Sequence, residues 1–156
     1  MTSAVLALRL SRRAIGAAAW NGETITFTDG RYLTSRRDRL LPAATRYLTR
    51  LVEQTQPRIM LLYAPTTGNG PTRAVRDLVH TIGVTHQITV RDLRRADLVG
   101  PFGVPPPRTR ADLHAIVETL WPEARTLRPG LRPVILDAVA LALGADTHLT
   151  LGDTVA

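Results

Sequence analysis

The sequence contains no cysteine. Disulfides, thiolate catalysis and Cys-based zinc centres are therefore excluded. Lysine is also absent: all 20 basic residues are arginine, which fits a GC-rich coding genome and is not functional evidence by itself. No run of about 18 apolar residues occurs, so no membrane-spanning helix is expected. Ala4 to Leu8 is apolar but ends at once on Arg9, Arg12 and Arg13, too short for a signal peptide. A soluble, cytoplasmic protein is the expectation. Internal repeats and low-complexity segments are missing as well.

What is present is an ordinary globular composition of 156 residues, 44% hydrophobic and 21% charged, enough to bury one core. The net charge of +7 biases the chain toward anionic partners, nucleic acid above all.

Val5 to Leu10 and Ile15 to Trp20 are short apolar runs suited to buried strands. Asn21-Gly22 follows, then Glu23 to Phe27; this dipeptide between strand-like runs predicts a type I′ hairpin. A three-strand antiparallel meander is expected. Arg36 to Gln54 carries Leu40, Leu41, Ala44, Tyr47, Leu48, Leu51 and Val52 at helical spacing, with Ser35 as N-cap. Ile59 to Tyr63 is a fourth strand, Thr72 to Ile82 a helix ended by Gly83, and His86 to Val90 a fifth strand. A short basic helix over Arg91 to Leu98 comes next, then a loop, Gly100 to Pro107, with four prolines and two glycines. Arg110 to Trp121 is helical up to Pro122, and Val134 to Ala145 forms the last helix behind Pro133. The order implies an α/β domain with a mixed five-strand sheet flanked by helices.

Several segments resemble the RuvC-type Holliday-junction resolvases, which have the RNase H-like fold. Their opening pattern, I-L-G-I-D-P-G-x-R-x-T-G, aligns without gaps on Val5 to Gly16. Val90 to Gly100 is similar to the stretch after their fifth strand, and Arg108 to Val117 continues the likeness. Asp137 to Leu143 (D-A-V-A-L-A-L) is similar to their last helix, D-A-A-D-A-L-A. The resemblance spans roughly residues 4–148. It implies one RNase H-like domain over 1–148, with a tail over 149–156.

The resemblance also implies a site built from carboxylates that hold two divalent metals about 4 Å apart. The first-strand acid position holds Arg9. The fourth-strand acid falls near Leu62 and Tyr63. The last-helix pair is reduced to Asp137, with Ala140 at the second place. One carboxylate of four remains, so a degenerate member without metal, cofactor or catalytic residues is expected. An arginine at a ligand position would repel Mg²⁺. Asp29 and Glu53 are alternative acids by type, but Asp29 precedes Gly30 in an expected turn and Glu53 sits late in a helix; solvated surface is the preferred reading of both. The four histidines show no ligand spacing and are read as surface or packing residues. Thr66 to Gly70 could hold a phosphate at a helix start but lacks the P-loop lysine, so a plain connection is preferred.

Arg12, Arg13, Arg91, Arg94, Arg95, Arg108 and Arg110 fall on segments that border the DNA cleft in the resembled family. The leading expectation is a pseudo-nuclease that binds branched or duplex DNA through this rim. A protein-interaction or structural module, and an active nuclease with relocated ligands, are the alternatives. A homodimer through the Thr72 to Ile82 helix, polar with Arg73, Arg76 and Asp77, is expected by analogy. A salt bridge between Arg9 and Asp137 across the former metal position is a further expectation.

Overall fold

A computed structural model describes residues 5–63, 70–94 and 109–144. Its elements run β1 (Val5–Leu10), β2 (Ala14–Trp20), β3 (Ile25–Tyr32), α1 (Arg37–Thr55), β4 (Ile59–Tyr63), α2 (Gly70–Thr85), β5 (Thr89–Asp92), α3 (Arg110–Leu120), a 3-10 turn (Pro122–Thr126) and α4 (Arg132–Leu143). The five strands form one sheet in the order β3-β2-β1-β4-β5. The meander pairs antiparallel, whereas β1–β4 and β4–β5 are parallel. β1 is thus the central strand.

Side chains alternate across a strand, so the sheet feeds two cores. Leu6, Leu8 and Leu10 pack with Leu48, Leu51, Val75 and Val79 of α1 and α2. Val5 and Ala7 pack on the opposite face with Leu113, Val117, Val139 and Leu141 of α3 and α4. β2 is alanine-rich and buried throughout, because helix backbone lies almost on it. A Cβ at Gly16 would overlap the Val134 carbonyl. Only glycine admits α4 so close.

Five local expectations need correction. Residues 21–24 form a four-residue loop, not a two-residue type I′ turn: only Gly22 has positive φ, and the Asn21 side chain instead accepts the Glu23 and Thr24 amides, each at 2.9 Å. β3 runs on to Tyr32, so Asp29-Gly30 is strand, opposite Ala17-Gly16, and no turn. α1 is preceded by Arg36, not capped by Ser35; the Thr34 hydroxyl accepts the Arg36 amide at 3.2 Å. Gly83 lies inside α2, where a side chain would strike Val90, so its smallness serves helix–sheet packing rather than termination. Finally, β5 includes Arg91 and Asp92, so no helix starts at Arg91. The rest of that expected helix from Arg95, the loop Gly100 to Pro107, the Thr66 to Asn69 loop and the tail lie outside the described residues.

Candidate functional site

The C-terminal half of β1 places Arg9 on the α4 side of the sheet, opposite Gly16 on β2 and Tyr63 on β4. An arginine in a central strand must find compensation, because an unpaired buried charge costs several kcal/mol. Gly16 supplies the means: the first turn of α4 rests on it, and Asp137 lies one turn further along that helix. Arg9 Nε donates to Asp137 Oδ2 at 3.0 Å. Its guanidinium lies 4.3 Å from the Tyr63 ring centroid, a cation–π contact.

Asp137 has two more partners, both from α3. Arg110 Nη2 donates to Oδ2 at 2.6 Å and its Nε to Oδ1 at 3.2 Å. His114 Nε2 lies 2.7 Å from Oδ1. Arg110 and His114 are four residues apart and so share one helix face. The Thr109 hydroxyl caps that helix by accepting the Asp112 amide at 3.1 Å, which fixes where the face begins. Burial pushes the Asp137 carboxyl upward more than any other single influence. The hydrogen bonds of His114 and Arg110 and the charges of Arg110 and Arg9 together outweigh it, so the group stays below the ordinary carboxylate range. Asp137 is therefore ionised and only accepts, and His114 Nε2 must carry a proton. Burial lowers Arg9 below its ordinary value despite the pull of Asp137. Its Nη1 is buried without a hydrogen-bond partner among the described residues. The centre thus joins two guanidinium groups and an imidazole around one carboxylate.

These residues do not fit a pair of divalent metals. A guanidinium fills the space beside the one carboxylate, and both carboxylate oxygens are already taken. Ala140, the next position on the same side of α4, is buried and offers no donor. Among the described residues no group of three or more His, Asp or Glu could hold a metal ion. Of the two fourth-strand positions, Tyr63 belongs to this centre. Leu62 does not: strand alternation turns it into the α1–α2 core.

The basic positions separate into distinct groups. Arg110 is drawn into the Asp137 cluster rather than standing free on a rim. Arg12 and Arg13 lie exposed on the β1–β2 turn and share a cleft with Arg37 of α1, a residue not singled out from the sequence. Arg91 is half-buried on β5, Arg94 is exposed just after it, and each has an interaction partner. Arg95 and Arg108 lie outside the described residues. His114 was legible only as a surface or packing residue; its spacing of four from Arg110 was the signal available. Asp29 is no solvated surface acid, since it accepts the Tyr47 hydroxyl at 2.9 Å, and burial with this bond raises the Tyr47 pKa. Glu53 is exposed on α1, as expected.

A mixed sheet in this strand order, opened by a meander and covered by helices on both faces, defines an RNase H-like α/β domain. Its particular form is that of the RuvC resolvases. The structure superposes on Thermus thermophilus RuvC with a TM-score of 0.75, at 9% identity, over 95% of this chain and 96% of that one. Against T. thermophilus RuvC in complex with Holliday junction substrate the TM-score is 0.76, with the same identity and coverage. No protein-family model and no curated protein matches the sequence. At this identity the likeness establishes the fold.

Proposed function

We propose that this protein is a non-cleaving relative of the RuvC resolvases that binds DNA, branched or duplex, through arginines at the C-terminal end of β1. The observation that carries the reading is Arg9. In the resembled family its position belongs to a metal-binding acid, and here its guanidinium pairs with the one remaining carboxylate, Asp137. An internal cation replaces a bound one, so the scaffold keeps its shape without the chemistry. The net charge of +7 and the solved complex of T. thermophilus RuvC with a junction support DNA as the partner. Self-association through α2 belongs to the same reading; light scattering that detects only monomer at tens of micromolar would remove it.

Gel shifts on junction, duplex and single-stranded DNA, with and without Mg²⁺, test the proposal. The expected result is binding that weakens steeply with salt, and intact substrate in every lane. Cleavage of a branched substrate in Mg²⁺ would refute the non-cleaving half. Absence of any shift at low salt would refute the DNA half and leave a protein-interaction module.

A further inference from the structure

The Asp137 cluster leaves a second concentration of arginine unexplained. Arg12 and Arg13 project from the β1–β2 turn, and Arg37 opens α1 across from them. Together they line a cleft of about 400 Å³ whose apolar wall is Leu33, Leu40 and Pro71. We propose that this cleft holds one backbone phosphate of a nucleic-acid strand, with the attached sugar or base against the apolar wall. The choice of a strand as ligand rests on the DNA reading above; the anion site rests on the cleft itself.

Three observations point there. First, the charge is uncompensated. Arg9, Arg76, Arg110 and Arg132 each pair with a carboxylate. The side chains of Arg12, Arg13 and Arg37 make no hydrogen bond or ion pair among the described residues, and no described carboxylate lines the cleft. Three guanidinium groups around one concavity repel each other, and a bound anion relieves that repulsion. Second, the rim is rigid. Ser11 Oγ donates to the Ala14 carbonyl at 3.0 Å and accepts the Ala14 amide at 3.1 Å, which closes the turn that bears Arg12 and Arg13. The Leu33 amide donates to the Arg13 carbonyl at 2.8 Å, tying that turn to the exit of β3. The backbone is therefore set before a ligand arrives, and less ordering is needed on binding. Third, the size exceeds that of a lone ion. The volume falls within the range of about 300–1,000 Å³ typical of small-ligand sites. An oxyanion against the arginines and a flat apolar group against Leu33 and Leu40 would use both walls.

The test follows backbone amide resonances of the intact protein during titration with a single-stranded oligothymidylate, thymidine monophosphate and a polyglutamate peptide. The same ligands are titrated into the triple variant R12S/R13S/R37S, whose melting temperature reports its fold. The oligonucleotide should move the amides of residues 11–13 and 33–37. The triple variant should bind it at least tenfold more weakly at unchanged melting temperature. Its log–log salt slope should fall by about 0.7, the share of one phosphate contact on a single strand. Unchanged affinity and slope in the variant would overturn the cleft while leaving DNA binding intact. Shifts with the monophosphate but not the oligonucleotide would overturn the strand in favour of a free nucleotide. Shifts with polyglutamate alone would overturn it in favour of an acidic protein. No response to any ligand would overturn the anion site altogether, whatever DNA did elsewhere on the surface.

Discussion

Arg9 and Asp137 hold each other in place, but they are not equivalent. Removing Arg9 leaves Asp137 with Arg110 and His114, so Arg9→Ala should cost about 2 kcal/mol, the scale of one charged hydrogen bond. Removing Asp137 strands Arg9 in the sheet, and Asp137→Ala should cost about 3–5 kcal/mol. Urea unfolding of both variants checks the order, and equal losses would mean that the pair acts alone. The pH dependence has a definite sign. Asp137 is held below its ordinary value in the fold. Its contribution is therefore complete above the unfolded pKa of about 3.9 and is lost as pH falls through the lower folded value. The stability gap between the wild type and Asp137→Asn, on the order of the scale just given near neutrality, should close as pH falls below about 4. A gap that widens in acid would show that the carboxyl is not the stabilising form. At this scale the Arg9–Asp137 bridge was legible from the sequence, because the resemblance put both residues at one place. The partnership of Arg110 and His114 was not. Two residues four apart declare a shared face but not what lies opposite it.

Among the elements, the close approach of α4 to β2 does most to build the site. It depends on Gly16, and the helix backbone there has nowhere to go. Gly16→Ala should lift the start of α4, loosen the Arg9–Asp137 bond and cost about 1–3 kcal/mol or more, measured by thermal melting. Full stability in that variant would mean that α4 can slide without loss. The strands and helices themselves were largely readable from their periodicity. Their ends were not, for a physical reason shared by each case. Asn21 acts through its side chain rather than its φ, and Gly83 is small because β5 presses on it, not because the helix stops. A residue type with two uses cannot say which one applies. The β3 extension has the same origin: Asp29-Gly30 looks like a turn alone but finds strand partners in Ala17 and Gly16.

For the whole molecule the prediction concerns metal. A centre with two guanidinium groups around one carboxylate repels divalent cations, so calorimetric titration with Mn²⁺ should give no stoichiometric binding isotherm at micromolar protein. A one- or two-site isotherm would return the protein to the metal-dependent class. Sequence alone determined the α/β class and the order of strands and helices along the chain, because burial periodicity is a local property; the reading of Arg9 and Asp137 as positions of one site came from the resemblance. It also determined the excess of arginine. Only the tertiary structure decided that Arg110 is consumed internally while Arg12 is not. Arg110 and Arg12 are indistinguishable as letters. One is carried by α3 onto a buried carboxylate, and the other is held by a closed turn over a cleft without one. That difference arises from long-range packing, which brings Arg110 of α3 onto Asp137, 27 positions further along the chain. No local pattern encodes it.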